Sequence, residues 1–394
     1  MQSQNTIKNI VDEFIRKVRR AEITDSYQCA VQTWKILKLI VASCNEEDLF
    51  KETKYFGKML INANPLEMSI GNMVRRLLFI INKETGQGSK ENKNVEKEKK
   101  KSSKQETIKK LNKTKISKTK MNKFLHISPP LRTLRHSKSL SDFLLKTNKT
   151  KSASAFNLAL LNDKNKNNIK NEIQKSMIDV EEELKFTHDA ISEQGIDLIH
   201  ANEIILTFGY SKMALELFQE VYKTRKFEVV VAESSPNYSG HKMAVALSKL
   251  KIPTTLINDS AIFSIMSKVN SVIVGTRFVM ANGGLITDIG FHNLAIAANV
   301  HSLPFIVLFG NYQLSPFFPY DQDTFNIMRS PDEIFEQSEM TNLSEKVHII
   351  NPQFDYVPPN LITLFINNEN GQQPSYIYRI VQDQYSTQDF VEKD

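Results

Sequence analysis

The feature that most constrains this chain is an alternation that begins near residue 201. The runs EIILTF, FEVVVAES, PTTLIND, SVIVGT and PFIVLFG read as strands. Between them, SKMALELFQEVYK, GHKMAVALSKL, SAIFSIMSK and NLAIAANVHS carry apolar residues at helical spacing. The strands are near-continuous in Val and Ile, so they need cover on both faces. A parallel sheet with a helix in each crossover meets that need. Residues 201–394 are therefore expected to form an α/β, Rossmann-like, mostly parallel sheet covered by helices.

Upstream the period is helical. Ile7, Ile10, Val11, Phe14 and Val18 share one face, as do Tyr27, Val31, Trp34, Leu37 and Val41. After Asn64-Pro65 a further stripe runs through Ile70, Met73, Val74, Leu77 and Ile81. Helices with one apolar face must bury it, so residues 1–82 are expected to be a helical domain packed on something. Ile173, Met177, Val180, Leu184 and Ile191 predict a long linking helix over 171–200. The segment between, 83–170, carries 24 Lys/Arg against 7 Asp/Glu. The whole chain's +7 thus conceals an acidic remainder of about −10. Lacking the apolar surface to offset the entropy of ordering, the segment is expected to be a basic, disordered insertion. Within it, PPLRTLRHSKSLSDFLL joins a basic lead, Ser137, Ser139 and Ser141, and an apolar tail. It reads either as a phosphorylated docking motif or as solvated filler with chance apolar residues.

Several classes fall away. No apolar run approaches the roughly 18–20 residues that cross a bilayer. MQSQNTIKNIVDEFIRKVRR mixes acids and bases and is not a secretory signal. Cys29 and Cys44 lie in helical stretches and are expected to be buried, reduced thiols. Ligands of open parallel sheets sit at the strands' carboxyl ends, which puts the loops after Phe208, Ser234, Asn258, Gly275 and Gly310 in view. None carries a phosphate-cradling GxxxxGK[ST] or GxGxxG. The Asn282-Gly283-Gly284 turn is read as backbone requiring positive φ ahead of a ligand role. The eight histidines show no metal-ligand spacing. His241, beside Gly240 at a helix start, is either an interface or pocket residue or an ordinary surface histidine. No cysteine follows Cys44, so the α/β part has no thiol nucleophile. No cofactor and no metal are expected.

The stretch AESSPNYSGHKMAVALSKLKIPTTLINDSAIFSIMSKVNSVIVGTRFVMANGGLITDIGFHNLAIAA resembles one superfamily. It unites the alpha, beta and delta subunits of translation initiation factor 2B with sugar-phosphate isomerases, among them the methylthioribose-1-phosphate and ribose-1,5-bisphosphate isomerases. PLEMSIGNMVRRLLFII, QLSPFFPYDQDTFN and FDYVPPNLITLFINNENGQQPSYIYRI are most similar to the beta-subunit family. The isomerase pattern implies a catalytic cysteine where this chain has Gly209. The acid of its GAD motif falls on Arg277, in Gly275-Thr276-Arg277. Its phosphate-contacting arginine falls on Ser235, and its Asn-Lys pair on Thr287-Asp288. A positioned acid or base is worth roughly 10²–10⁴ in rate, and neither Gly209 nor Arg277 supplies one at neutral pH. No catalytic residue is therefore assigned. Asn202, Gly209, Ser235, His241, Arg277 and Asn282 are the candidate interface or vestigial-pocket residues.

The resemblance implies a non-catalytic regulatory subunit of a cytoplasmic guanine-nucleotide exchange assembly. Its implied partners are the delta, alpha, gamma and epsilon subunits of initiation factor 2B and the alpha subunit of initiation factor 2. Sensing of that alpha subunit's phosphorylation is implied too, with the helix face of Arg75 and Arg76 a candidate reader. Two alternatives stand beside this reading. One is a sugar-phosphate (aldose-ketose) isomerase with relocated groups. The other is weak, sequence-blind nucleic-acid binding by the lysine tract, which lacks aromatics for stacking. Neither a membrane nor a specific nucleic acid is an expected partner.

Overall fold

The computed structural model of the chain describes residues 2–23, 25–44, 48–85, 154–319, 325–335 and 347–386. Two compact units divide it, one of residues 1–81 and 172–394, the other of residues 82–171. In the first, helices α1 (Gln2–Arg19), α2 (Ser26–Ser43), α3 (Leu49–Ile61) and α4 (Met68–Glu84) begin the chain. The Asp25 carboxylate accepts from the Tyr27 amide and starts α2. Most of the expected stripe residues are buried, with Val11, Leu37, Ile70 and Leu77 at zero exposure, while Ile10, Tyr27 and Val31 are only partly covered. Trp34 lies fully inside, and its indole N–H donates to the Met177 carbonyl at 3.1 Å.

That carbonyl belongs to the linking helix α5, Ser154–Leu198. Ile173, Met177, Val180, Leu184 and Ile191 form its buried stripe, as the spacing requires. The helix begins earlier than the 171 expected, inside the stretch read as disordered. Ser137, Ser139 and Ser141 lie outside the described residues.

The alternation then unfolds as β1 (Ile204–Phe208), α6 (Lys212–Thr224), β2 (Glu228–Ala232), α7 (Ser239–Lys249), β3 (Thr254–Ile257), α8 (Ile262–Ile265) and β4 (Ser271–Gly275). There follow β5 (Phe278–Val279), β6 (Leu285–Asp288), α9 (Phe291–Val300), β7 (Phe305–Leu308), β8 (Phe354–Val357), β9 (Leu364–Ile366), β10 (Gly371–Gln372) and α10 (Ile377–Gln384). The main sheet has the order β10-β9-β7-β4-β1-β2-β3. Every described pairing in it is parallel except β10 with β9.

Alternating residues serve the two faces, which is why the strands read as continuous apolar runs. Leu206, Val230, Val272 and Val307 meet α9 and α10 on one side. Ile205, Val229, Ile273 and Ile306 meet α6 and α7 on the other. SAIFSIMSK is not one helix: a 3-10 turn, the four-residue α8 and a second 3-10 turn share it. The antiparallel sheet β5-β6-β8 was absent from the sequence expectation; strands of two to four residues are too short to show a period.

The groove at the switch point

The order of the parallel strands turns back on itself between β1 and β4, where open α/β sheets place their ligand crevice. A groove of about 440 Å³ opens there. Its walls come from the carboxyl ends of β1 and β4, the first turn of α6, the start of α2, and His188 of α5.

Gly209 follows β1 with φ +62, a conformation glycine adopts at little cost. A Cβ at this position would stand 2.7 Å from the Ser239 hydroxyl oxygen, so strain and crowding both oppose a side chain. Ser211 then caps α6, its hydroxyl accepting from the Ala214 amide at 3.3 Å.

Across the groove Arg277 lies between two carboxylates. Its Nη1 is 3.5 Å from Glu67 and its Nε 3.5 Å from Asp288, and its guanidinium faces the Phe354 ring at 5.3 Å. Glu67 is buried and accepts from the Ser69 hydroxyl at 2.6 Å. Burial pushes the Glu67 carboxyl above the usual carboxylate range; Arg277 and the Ser69 and Ser26 hydroxyls offset this only in part.

The far wall is aromatic and ionic. Tyr27 packs on His188 with ring centroids 4.8 Å apart and on Tyr312 at 5.8 Å. His188 Nδ1 lies 2.5 Å from Glu216, which also faces Lys212 at 3.7 Å. Burial raises the Glu216 carboxyl, but His188 and Lys212 together outweigh it and hold the group below the ordinary range. Tyr312 is buried and its phenol is held well above its normal value, chiefly by desolvation. The Gln313 amide donates to the Thr276 carbonyl at 2.6 Å, fixing the turn after β4.

The sequence candidates scatter. The Arg277 turn lines the groove, and Gly209 stands between Phe208 and Tyr210, which line it too. Ser235 stands in an adjoining water-sized crevice of about 20 Å³, which shares Asp288 with the groove. Its amide and that of Ser234 donate to the Asp259 carboxylate at 2.6 and 2.9 Å. His241 is half-exposed beside Tyr238, with Nε2 3.7 Å from Glu233. Asn202 lies at the opposite, amino end of β1. It takes φ +63 in a turn, a conformation Asn tolerates, and lies away from the groove. Asn282 belongs to the β5–β6 turn, its amide donating to the Tyr356 hydroxyl at 2.9 Å.

Arg75 and Arg76 are not an open basic face. Arg75 lies over the Phe317 ring at 4.3 Å, and Arg76 pairs with Glu183. Glu183 also accepts from Asn311 at 2.7 Å and Asn368 at 3.1 Å, tying α4 and α5 to the loops after β7 and β9. Of the thiols, Cys29 is buried and Cys44 only partly so. Burial, seconded by Glu67 and Asp25, pushes the Cys29 thiol up to about 12, which leaves it inert. Among the described residues no cluster of three or more metal-ligating side chains occurs, and no helix is long and apolar enough to cross a membrane.

Comparison with known proteins fits this architecture. The model of the Initiation factor 2 subunit family matches residues 22–374. A translation initiation factor eIF2B subunit beta from Dictyostelium discoideum is 39% identical, over 97% of this chain and 96% of its own. The protein of that name from Schizosaccharomyces pombe is 32% identical over 97% of both. Among solved structures, eIF2B beta from Chaetomium thermophilum superposes with a TM-score of 0.65 at 21% identity, covering 98% of this chain and 94% of that one. A chain of the tetrameric eIF2B-beta2-delta2 complex of C. thermophilum gives 0.63 at 19%, covering 96% and 95%. 5-Methylthioribose 1-phosphate isomerase from Pyrococcus horikoshii gives 0.52 at 17%, covering 95% and 87%. At those identities the structures speak for the fold.

Proposed function

Because this chain belongs to the Initiation factor 2 subunit family, we propose that it is the beta-type, non-catalytic regulatory subunit of the guanine-nucleotide exchange factor for initiation factor 2. In this role it works in the cytoplasm. It pairs with a delta-type chain and joins alpha, gamma and epsilon subunits, and it helps to sense the phosphorylated alpha subunit of initiation factor 2.

One observation carries the non-catalytic part. At the groove where the isomerase relatives would keep a nucleophile and an acid, the chain has a glycine whose backbone conformation and surroundings oppose any side chain, and an arginine held between two carboxylates. Aldose–ketose isomerisation moves a proton between neighbouring carbons and needs a group that gives and takes it. Gly209 has no side chain to do so, and a guanidinium keeps its protons at any physiological pH.

Affinity purification of the full chain from its native cell tests the proposal. Recovery with a delta-type chain and with initiation factor 2 is expected, as is no conversion of a pentose 1-phosphate by the purified chain. Recovery as a solitary monomer, or steady turnover of that sugar phosphate, would overturn it.

A further inference from the structure

Helices that face water carry charge, and in this fold the charges mix: Lys17 pairs with Glu13 on α1, Lys185 with Glu181 on α5, and Lys223 with Glu220 on α6. The outer face of α3 does not follow. Leu49, Thr53, Phe56, Gly57 and Leu60 form its buried side. Directly opposite, at the spacing that defines one side of a helix, stand Lys51, Lys54, Tyr55 and Lys58, all exposed. The acids of the segment lie off this stripe, Asp48 at the N-cap and Glu52 on the flank. None of the three lysine side chains forms an ion pair or hydrogen bond with a described residue. Lys54 adjoins Lys51 one turn before it and Lys58 one turn after, so like charges meet along the whole face, an arrangement that costs a helix stability. Tyr55 is 59% exposed in their midst, its ring edge-on to Phe56 with centroids 5.3 Å apart. The chain outside residues 83–170 is acidic, so a face of one positive sign is no by-product of composition.

Unpaired cations in a row match a ligand with a row of anions, and an aromatic ring among them adds a surface on which a base can stack. We propose that the stripe of Lys51, Lys54, Tyr55 and Lys58 is a docking surface for single-stranded RNA. The lysines hold its phosphates and Tyr55 holds a base, without preference for sequence. Lys51 and Lys58 lie about 10 Å apart along the helix axis, the length of about three stacked nucleotides. The flexible ammonium groups suit this use, since they meet phosphates as point charges and need no fixed geometry. The ring decides between polyanions. An acidic polypeptide would use the lysines and leave Tyr55 idle, and a double helix would keep its bases stacked away from the ring. The stripe takes no part in the groove and stands independently of the beta-type reading.

The test follows the fluorescence anisotropy of a labelled oligouridylate against the full chain over a series of salt concentrations. The lysine-rich segment 83–170 is present in every protein compared, so its contribution cancels in the differences. One variant joins Lys51→Gln, Lys54→Gln and Lys58→Gln; a second is Tyr55→Ala, and Lys223→Gln on α6 is the control. Glutamine is a good helix former and relieves the repulsion, so the triple variant is expected to unfold at or above the wild-type temperature. It should bind about tenfold more weakly or worse, with the slope of log affinity against log salt shallower by about 2. Lys54→Gln alone repeats the measurement with one exposed change and should cut the slope by about 0.7. Tyr55→Ala should weaken binding about fivefold or more at an unchanged slope. The control should bind as wild type does, and polyglutamate should compete poorly. Wild-type affinity and slope in the triple variant overturn the proposal and leave segment 83–170 as the RNA-binding part. No binding by the wild type overturns it as well. Strong competition by polyglutamate, with undiminished binding by Tyr55→Ala, overturns the ligand proposed and assigns the stripe to an acidic polypeptide.

Discussion

The two covers of the central sheet are built alike inside and unlike outside. On one side α6 and α7 bury Leu217, Phe218, Val221, Met243 and Leu247 against the strands. On the other, α9 buries Phe291, Leu294, Ala295 and Ala298. Outside, α6 is laced with charge: Lys223 pairs with Glu220, and Lys212 with Glu216. The outer side of α9 shows Asn293, Ile296, Asn299 and Val300. A parallel sheet constrains only what faces it. The outward residues are free of that constraint, so the covers can differ outside while folding alike inside.

If that is right, truncating the inner residues should cost the same on both sides, and the cost should be the largest of any single change. Leu217→Ala and Leu294→Ala each remove a fully buried side chain. Each is expected to lower stability by about 2–5 kcal/mol in denaturant unfolding of the isolated chain. A much smaller loss for Leu294→Ala would mean that α9 is anchored loosely until a partner covers it, and the comparison would fail at its base.

Next in size is a change specific to the charged cover. Gly240 lets α7 sit directly on β2: a Cβ there would lie 2.1 Å from the Ala232 carbonyl oxygen and 2.8 Å from Glu233 Cα. Both neighbours are backbone and neither yields easily. Gly240→Ala is expected to cost about 1–3 kcal/mol as helix and strand separate. A neutral result in thermal unfolding would show that this cover is less rigidly seated than its packing indicates.

The same division between inner and outer residues sets how much could be read from sequence. EIILTF, FEVVVAES and SVIVGT announced doubly covered strands because burial on two faces removes polar residues from consecutive positions, and all three are strands of the central sheet. The groove was half legible. Strand ends put the loops that hold Gly209 and Arg277 in view, and the superfamily resemblance singled out the two residues within them. Glu67, Tyr27, His188 and Tyr312 were not, since they reach the groove from α2, α5 and loops far apart in the chain. No local period connects residues brought together only by tertiary packing. Arg75 and Arg76 show the converse error: adjacent cations suggest an open basic face, yet one stacks on Phe317 and the other is spent on Glu183.

A smaller effect separates the covers by acid. Glu216 is held below its ordinary range by His188 and Lys212, against the pull of burial. A carboxyl depressed in the fold adds stability above its unfolded value, and that stability is lost as pH falls through the depressed one. The side chain is about a third exposed, so screening keeps the contribution below about 1 kcal/mol. Glu216→Gln should therefore lower stability slightly at pH 7, and the difference should vanish as pH falls through the depressed range. The α9 segment has no carboxylate between residues 289 and 304, so no side chain of that helix should supply a matching acid-sensitive step. The difference between wild-type and variant unfolding profiles against pH checks both statements.

The smallest expected effect on folding gives the sharpest contrast in behaviour. Lys223 and Glu220 are 58% and 42% exposed, and a pair so open to water contributes little once side-chain entropy and screening are counted. Lys223→Ala should change stability by no more than about 0.5 kcal/mol. Val300→Ser, at a position 62% exposed, should also fall within about 0.5 kcal/mol for the isolated chain. In folding the two substitutions are then equivalent. In association they should differ, because only Val300→Ser removes apolar surface from an uncharged face. Titration of each variant with the delta-type chain should show weakened binding for Val300→Ser alone. Equal binding by both would make the missing charge on α9 a matter of composition without consequence. Equal weakening would mean that the partner spans both covers.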